Sequence, residues 1–402
     1  MENLRTLDDL DVDGKTVIVR ADLNVPMEDL YMTDGLRIER LAPTLRQLLS
    51  RGAKVVVISH FGRPKGRFKA DLSLRRVREV LGNALGRPPI PFSDDCIGPA
   101  AEEAVSGLEP GEIILMENLR FHDGEEANDE DFARQLARLG DIYVNEAFSC
   151  SHRAHASIEG ITHFLPSAAG LGMQAELVAL HQALDSPQRP VAAIVGGSKI
   201  STKLAALTNL VTKVQHLAIG GGMANTFLFA RGVDIGKSLC EPDLVDVVRE
   251  VEAAAQDAGC EIVLPQDAVV AAELKEGVAV ANVGVEAVPR DKMILDVGPA
   301  STKRLIELLG TCRTVVWNGP LGAFETKPFE TGTVAVARAV ADLTGRGSLL
   351  SVAGGGDTMA ALAMAGVDTN LSYVSAAGGA FLEWLEGKEL PGVEALLRAA
   401  AQ

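Results

Sequence analysis

Short apolar runs rich in β-branched residues alternate with longer helix-like segments along the whole chain. The runs are mostly continuous and do not alternate with polar residues, which is typical of parallel strands covered on both faces. The pattern predicts strands at 16–21, 54–59, 112–116 and 141–145 in the first half, and at 191–195, 216–219, 261–264, 314–317, 348–353 and 371–375 in the second.

The segments between these runs have the character of helices, most clearly at 36–50, 129–139, 243–258 and 331–343. The resulting β–α–β pattern occurs in both halves, and 402 residues are enough for two domains that each bury a core. We therefore expect an α/β protein with two doubly wound, parallel-sheet (Rossmann-like) domains.

The segment 160–175 contains no Asp, Glu, Lys or Arg, and it carries Pro166, Gly170 and Gly172. A helix-like stretch at 174–184 follows, and Ser-Pro-Gln-Arg-Pro then precedes the next predicted strand. A helix with loop-like flanks suits a hinge, although Pro and Gly would mark any domain junction equally well. The predicted division is a first domain at 1–170, a hinge helix at 171–188 and a second domain from 189.

The chain is acidic, with 38 Lys and Arg against 54 Asp and Glu, a formal charge of −16 and a sequence pI near 5.0. This balance argues against a nucleic-acid binder, and no apolar stretch approaches the ~18–20 residues of a membrane span. The acidic start lacks a signal-peptide pattern. Five cysteines without close pairing are typical of reduced thiols. We expect a soluble cytoplasmic protein with neither nucleic-acid nor membrane partners.

Two windows of the sequence contain no acidic residue. The window 42–70 holds seven cations, and the window 186–233 holds Lys and Arg without a single Asp or Glu. Either the windows arise by chance, or each domain has an anion site from which carboxylates are excluded by repulsion.

Glycine-rich turns follow several predicted strands of the second half, at 196–199, 220–222, 354–358 and 378–379. Glycine lets the backbone approach a phosphate closely at a helix N-terminus. Lys199 and Lys203 are four residues apart at the start of a predicted helix and would share one face. Either they are solvated, or a ligand phosphate compensates their charge at the positive end of the helix dipole. Asp357 is either an N-cap or a ligand for nucleotide-bound Mg²⁺.

Polar and cationic residues follow successive predicted strands of the first half, at 20–26, 60–64, 118–120 and 152–155. Because the carboxyl ends of parallel strands meet at one edge of the sheet, these residues are expected to converge on a crevice. Arginine side chains there can bind phosphate or carboxylate through two parallel hydrogen bonds.

These motifs together resemble the phosphoglycerate kinase family along essentially the whole chain. The first-half motifs that carry the resemblance are RADLNVP at 20–26, SHFGRP at 59–64, ENLRF at 117–121 and HRAH at 152–155. The second-half motifs are GGSK at 196–199, WNGPLGAFE at 317–325, GGGDT at 354–358 and EGKELPG at 386–392. One departure is Ile294, where some members place Gly beside the adenine.

The resemblance implies a role for each matching position. The residues expected to bind the glycerate and its 3-phosphate are Asp22, Asn24, Arg37, His60, Arg63, Arg120 and Arg153. Arg37 and Lys199 are the expected catalytic residues, since they would neutralise the phosphoryl group in flight. The residues expected to bind the nucleotide are Lys203, Asn318, Glu325, Gly355, Gly356, Asp357 and Thr358. Asp357 would also hold the magnesium ion.

The implied reaction is reversible, Mg²⁺-dependent phosphoryl transfer between 1,3-bisphosphoglycerate and ADP, giving 3-phosphoglycerate and ATP. Residues 1–170 would bind 3-phosphoglycerate, residues 189–381 would bind ATP or ADP, and residues 382–402 would return to the first domain. Closure about the hinge would bring the substrates together in a monomer. Two alternatives are an ATP-dependent kinase for another small phosphorylated carboxylic acid and a non-catalytic sensor of nucleotides or sugar acids.

Overall fold

The computed structural model of the protein describes residues 4–24, 27–28, 31–32 and 35–401. The chain divides into two compact units. Unit 1 comprises Met1–Val178 together with Glu389–Gln402, and unit 2 comprises Ala179–Lys388. Among the described residues, no helix has both the length and the apolar character that a membrane span requires.

Unit 1 is built from short strands and the helices between them. Its strands are β1 (Thr16–Ala21), β2 (Met27–Glu28), β3 (Tyr31–Met32), β4 (Lys54–Ile58), β5 (Ile113–Leu115), β6 (Ile142–Glu146) and β7 (Ser167–Ala169). Its helices before the junction are α1 (Leu36–Ser50), α2 (Arg78–Leu85), α3 (Gly98–Ser106), α4 (Asp123–Glu126), α5 (Glu130–Ala137) and α6 (Leu171–Leu180).

The main sheet of unit 1 has the order β5-β4-β1-β6-β7, and all its pairings are parallel. The strand order therefore reverses at β1, where the chain crosses to β6, as in a doubly wound fold. Strand β1 lies at the centre, and five of its six residues are buried because helices cover both faces. The short strands β2 and β3 form a separate antiparallel pair.

Unit 2 contains the remaining elements apart from the last helix. Its strands are β8 (Val191–Val195), β9 (His216–Ile219), β10 (Glu261–Val263), β11 (Asp267–Ala271), β12 (Ala281–Gly284), β13 (Met293–Val297), β14 (Thr314–Asn318), β15 (Leu350–Gly354) and β16 (Tyr373–Ser375). Its helices are α7 (Leu204–Leu210), α8 (Gly221–Ala230), α9 (Val245–Ala258), α10 (Pro299–Leu309), α11 (Thr331–Gly345), α12 (Gly356–Ala365) and α13 (Gly378–Leu385).

The large sheet of unit 2 has the order β10-β9-β8-β14-β15-β16 and is also entirely parallel. This is the 3-2-1-4-5-6 order of a doubly wound nucleotide-binding fold, with its switch point between β8 and β14. The prediction of two doubly wound parallel-sheet units is thus confirmed, and the predicted strands match the observed ones within two residues at each end.

A small antiparallel sheet of order β12-β11-β13 was not anticipated from the sequence. Its strand β12 is only partly buried, so its residues do not form the continuous apolar run that marks a covered parallel strand. Strand β13 is followed directly by α10, and the two lie in the stretch between the predicted strands 261–264 and 314–317.

The segment expected to be a loop-like flank of the hinge instead contains strand β7, whose three residues are buried at the edge of the sheet of unit 1. Helix α6 follows, and a π-helical turn at His181–Asp185 continues it. The N-terminus of α6 is held by Glu146, whose carboxylate accepts the N–H groups of Gly172 at 3.0 Å and Met173 at 2.9 Å. The segment 171–188 is therefore largely helical, and its role as a hinge stays a prediction.

The C-terminal helix α14 (Pro391–Ala400) belongs to unit 1, where the N–H of Gly392 donates to the carbonyl of Ser151 at 2.9 Å. The preceding helix α13 packs on α7 and belongs to unit 2. The chain therefore joins unit 1 at Glu389, later than the predicted residue 382.

Candidate functional site

Three of the predicted substrate residues of unit 1 are joined by direct contacts beyond the carboxyl end of β1. The carboxylate of Asp22 lies 2.8 Å from a guanidinium nitrogen of Arg37 and also accepts a hydrogen bond from Ser149. The same nitrogen of Arg37 donates to the backbone carbonyl of Asn24 at 2.8 Å. Arg37 therefore fixes the loop after β1 against the start of α1. Val25 and Pro26 of the same motif lie outside the described residues.

The loop after β4 is attached to this group through Gly62. Its N–H donates to the side-chain oxygen of Asn24 at 2.9 Å, and its carbonyl accepts from the guanidinium of Arg120 at 2.9 Å. Arg120 is buried, and its Nε lies 3.2 Å from the carboxylate of Glu126. The structure thereby links the loops that follow β1, β4 and β5.

His60 is buried beside Arg20, whose guanidinium lies 3.2 Å from its Nδ1. Burial holds the pKa of His60 well below its ordinary value, and the charges of Arg20 and Arg120 act in the same direction. A neutral imidazole next to a guanidinium must accept at Nδ1, so the proton is on Nε2. His60 can therefore offer an N–H group, but no positive charge, to a ligand oxygen.

Arg63 and Arg153 are not drawn into this network. Arg63 is exposed in the loop after β4, and Arg153 is half-buried in the loop after β6. Within the described residues, neither guanidinium forms an ion pair with a carboxylate. Both lie on loops at the correct end of the sheet, and their ligand roles stay predictions.

A buried group behind the site was not given a role from the sequence. Arg20 is fully buried, donates to Ser157 at 2.7 Å and lies 3.8 Å from Glu125. Glu125 in turn accepts from the hydroxyl of Ser157 at 2.6 Å. Because the carboxylate of Glu125 compensates the buried charge of Arg20, the guanidinium can stay in place beside His60 and donate to its Nδ1. Only the position of Arg20 at the end of a central strand could have hinted at this.

In unit 2, Lys203 lies at the switch point between β8 and β14. Its ammonium donates to the carbonyl of Gly196 at 2.6 Å and to that of Asn318 at 3.1 Å. Burial lowers the pKa of Lys203 to about 8, while the charge of Asp357 acts in the opposite direction. Gly319 leaves room for the ammonium, because a β-carbon there would lie 2.7 Å from it.

The expectation that Lys199 and Lys203 share the face of one helix is wrong. Lys199 precedes a short 3₁₀ turn at Ile200–Thr202, and Lys203 directly precedes α7. Lys199 is consequently exposed, whereas the side chain of Lys203 is turned into the protein. A carboxylate distant in sequence also reaches this turn, since Glu241 accepts from the hydroxyl of Ser201 at 2.6 Å.

The turn at 354–358 connects β15 to α12. Gly355 precedes the helix with a φ of +100°, and Asp357 is exposed within the first turn. No side chain caps this helix, which leaves the N-cap interpretation of Asp357 without support. Thr358 is buried, where its hydroxyl accepts from the N–H of Gly319 at 2.7 Å. Asn318 donates to the carbonyl of Gly354 at 2.8 Å, so β14 and this turn are held together.

A cavity of about 400 Å³ opens beside these turns in unit 2. Apolar side chains from α8, β13 and the loop at 320–325 form most of its wall, including Leu228, Ile294 and Phe324. Glu325 and Asp357 also line the cavity, together with the glycine turns at 197 and 221–222. An apolar cavity with glycine turns and a carboxylate at its rim suits a nucleotide base, ribose and phosphates.

Asp296 lines the same cavity and belongs to none of the sequence motifs. Its side chain is 2% exposed and accepts the N–H groups of Val297 and Gly332, each at 2.8 Å. Burial raises the pKa of Asp296 to about 7, although these hydrogen bonds act in the opposite direction.

A separate cluster in unit 1 brings Asp95, Cys96 and His122 together. The imidazole Nε2 of His122 lies 2.8 Å from the carboxylate of Asp95, so the two polar groups satisfy each other. Burial raises the pKa of the Cys96 thiol well above its usual range, which keeps it protonated. All five cysteines are free thiols.

Unit 1 gathers arginine side chains beyond the ends of its parallel strands, and unit 2 has glycine turns beside an apolar cavity. Two doubly wound units of this kind suit a phosphotransferase. The family model for phosphoglycerate kinase matches residues 7–388. The phosphoglycerate kinases of Rhodospirillum centenum and Azorhizobium caulinodans are 61% and 58% identical to the chain over 392 and 398 residues. The alignments cover 98% and 99% of this chain and 99% and 100% of those proteins.

Among solved structures, phosphoglycerate kinase from Coxiella burnetii matches with a TM-score of 0.92 at 41% identity, covering 99% of this chain and 100% of that one. The chain therefore belongs to the phosphoglycerate kinase family. It is a phosphotransferase with a carboxyl group as acceptor.

Proposed function

We propose that the protein catalyses reversible, Mg²⁺-dependent phosphoryl transfer between 1,3-bisphosphoglycerate and ADP, giving 3-phosphoglycerate and ATP. The observation that carries the proposal is the contact network of Asp22, Asn24, Arg37 and Arg120 at the strand ends of unit 1. A network of this kind presents guanidinium and amide groups in fixed positions, which suits a small phosphorylated acid.

The glycerate side of the reaction needs cations and hydrogen-bond donors. Arg63, Arg120 and Arg153 would bind the 3-phosphate, while Asp22 and Asn24 would bind the glycerate. His60 would donate its Nε2–H to a substrate oxygen, since the imidazole is neutral. Arg37 already contacts Asp22 and would extend one further N–H group towards the carboxylate.

The nucleotide side would use the cavity of unit 2. The apolar wall that includes Ile294 would hold the base, and Glu325 would accept from the ribose hydroxyls. Gly355, Gly356 and Thr358 would hold phosphates at the N-terminus of α12. Asn318 would keep the turn in place, and Lys203 would add positive charge beneath the phosphates.

Mg²⁺ fits the donor set of this site. Mg²⁺ in kinases is typically held by one or two carboxylates together with substrate phosphates and water. Asp357 is exposed, lines the cavity and does not cap its helix, so its carboxylate is available for this role. When bound, the ion would neutralise phosphate charge.

The transfer itself requires little from the protein beyond position and charge. In the direction of ATP use, a carboxylate oxygen of 3-phosphoglycerate attacks the γ-phosphorus, and the bond to the β–γ bridging oxygen breaks to release ADP. The acceptor is already ionised at neutral pH, so no general base is needed. Lys199 and Arg37 would offset the negative charge of the transferring group.

We further propose that closure about the helical segment 171–188 brings the two substrates together and excludes water, which would suppress hydrolysis of ATP. The proposed setting is the cytoplasm, which agrees with five unpaired thiols, and the proposed state is a monomer.

A coupled assay of ATP-dependent phosphorylation of 3-phosphoglycerate, with and without Mg²⁺, tests the proposal. We expect turnover that requires Mg²⁺ and falls by two or more orders of magnitude in Lys199→Ala, since removing a charge-stabilising group typically costs about 10²–10³ in kcat. Nucleotide affinity, measured by calorimetry, should be largely retained.

Lys303→Ala is the matched control. Lys303 is an exposed lysine of helix α10, does not line the cavity and lies 3.9 Å from Glu307. Its replacement should leave turnover within about twofold, as expected for a surface pair. Equal turnover of Lys199→Ala and the wild-type protein would refute the catalytic role. Binding of both ligands without any turnover would favour a different acceptor or a sensor.

A further inference from the structure

Strand β13, the loop at 319–325 and the N-terminus of α11 meet at Asp296 in unit 2. Strand β13 and the loop both line the nucleotide cavity, and the loop carries Glu325. The N–H of Ala323 donates to the carbonyl of Leu295 at 2.8 Å, which joins the loop to the strand beside Asp296. Because strand β13 and this loop form walls of the cavity, the distance between them sets its width.

The carboxylate of Asp296 contacts all three elements. One oxygen accepts the N–H of Val297 in its own strand, and the other accepts the N–H of Gly332 in the first turn of α11. The loop packs directly on the carboxylate at Gly322, where a β-carbon would overlap the Asp296 oxygen. A β-carbon at Gly332 would lie 2.9 Å from the same oxygen.

The charged groups near Asp296, among the described residues, do not make it part of an ion pair. Within the described residues it has no Lys or Arg partner, and the charged group that acts on its pKa is Glu330, which directly precedes α11. A 2% exposed carboxylate without a cation beside it is costly unless hydrogen bonds offset the loss of solvent, and here backbone N–H groups of β13 and α11 supply those bonds.

We propose that Asp296 is a positioning residue for the nucleotide site, which sets the spacing between the β13 wall and the loop that carries Glu325. This inference rests on the proposed function only in taking the cavity as the nucleotide site. Asp296 touches no reacting atom in this role. It acts by holding the N–H groups of Val297 and Gly332 on one carboxylate, against which the loop packs at Gly322.

Asp267 provides a matched control in the same small sheet. Its carboxylate also holds the N-terminus of a helix, since it accepts the N–H groups of Ala300 at 2.9 Å and Ser301 at 2.7 Å at the start of α10. A β-carbon at Gly298 would overlap Asp267, just as one at Gly322 would overlap Asp296. Asp267 does not line the nucleotide cavity. The two residues therefore share a structural role but differ in location.

The experiment compares Asp296→Asn and Asp267→Asn with the wild-type protein by calorimetric titration with MgADP, steady-state kinetics and thermal unfolding. An asparagine offers one acceptor where the carboxylate uses two, so both variants should lose a backbone hydrogen bond. For Asp296→Asn we expect the Kd for MgADP and the KM for ATP to rise about tenfold, with the KM for 3-phosphoglycerate unchanged. Asp267→Asn should lower the melting temperature and leave the Kd for MgADP within about twofold.

A second variant guards against failure of Asp296→Asn to fold. Gly322→Ala adds a methyl group where the loop rests on the carboxylate, at a residue without a positive φ. It should also raise the Kd for MgADP without changing the KM for 3-phosphoglycerate. Unchanged nucleotide affinity in a folded Asp296→Asn, or in Gly322→Ala where only that variant folds, would overturn the inference. So would an equal loss of affinity in Asp267→Asn.

The proposed function and this inference fail in different ways. A wild-type protein that binds MgADP but does not phosphorylate 3-phosphoglycerate would refute the proposed function and leave the role of Asp296 testable by binding. A wild-type protein that does not bind MgADP would remove the premise of both. If the wild-type protein turns over normally and the Kd of Asp296→Asn for MgADP is unchanged, only the inference is refuted.

Discussion

The buried histidines of unit 1, His60 and His155, stay uncharged because burial disfavours the charged ring and nearby arginine charges act in the same direction. His155 illustrates this, since burial lowers its pKa to about 3, with the charges of Arg120 and Arg20 acting in the same direction. Glu125 lies 3.8 Å from His155, but a neutral ring forms no ion pair with it. His60 has the same environment and the same direction of shift.

This charge state predicts how stability depends on pH. A folded-state pKa below the unfolded value of about 6.5 gives stability that is present above pH 6.5 and lost as pH falls towards 3. At pH 5 the loss from His155 is at most about 2 kcal/mol, reduced by solvent screening. Urea unfolding at pH 7.5 and pH 5 should show a smaller pH dependence in His155→Gln than in the wild-type protein. If the free energy of unfolding changes equally between pH 7.5 and pH 5 in the two proteins, His155 is not neutral in the folded state.

In the turns that follow the strands, the backbone conformation restricts which residue the sequence can carry. Gly355 adopts a φ of +100° ahead of α12, in a region that residues with a β-carbon rarely occupy, and a β-carbon there would lie 2.9 Å from the side chain of Asn318. Gly356 has neither constraint, because its φ is ordinary and no atom lies within 4 Å of the position that a β-carbon would take. The first glycine is required by the fold, whereas the second leaves open space beside the candidate phosphate site.

Alanine substitutions separate these two requirements. Gly355→Ala should lower the free energy of unfolding by about 1–2 kcal/mol because of its positive φ. Gly356→Ala should leave stability unchanged or raised by less than about 1 kcal/mol. It should nevertheless weaken MgADP binding roughly tenfold, since a methyl group in the path of a phosphate costs on the order of 1–3 kcal/mol. Denaturant titration and calorimetry measure both effects, and unaltered binding in Gly356→Ala would argue against a phosphate at this turn.

At the scale of the whole molecule, the distribution of charge is more informative than the net value of −16. Both acid-free windows fall in regions that carry candidate ligand groups, one in each unit. The folded chain nevertheless brings carboxylates from elsewhere to these regions, as Glu241 at Ser201 and Glu146 at Thr44 show. A stretch of sequence without acidic residues therefore does not ensure that the folded site is free of carboxylates.

The proposed closure makes a prediction about the size of the molecule in solution. With 3-phosphoglycerate and MgADP bound together, a pair that cannot react, we expect a smaller radius of gyration than with either ligand alone. Small-angle X-ray scattering measures this quantity directly. Arg37→Ala provides a comparison, because losing the group that contacts Asp22 and Asn24 should weaken the response. A radius that is the same in all ligand states would contradict closure.

Continuous apolar runs and glycine turns in the sequence determined much of the fold by themselves. Parallel strands covered on both faces must be apolar along their length, so the bounds of β1, β8 and β9 could be predicted to the residue. The family could also be identified from ordered motifs, because each motif is a short contiguous segment.

Only the tertiary structure decided which groups meet. The small sheet with Asp296, the inward turn of Lys203 away from Lys199, and the capping of α6 by Glu146 all depend on contacts between residues distant in sequence. The charge states of His60 and Asp296 likewise follow from burial, a property that the folded chain creates and a local sequence pattern does not contain. Local patterns determine elements, whereas desolvation and long-range contact determine chemistry.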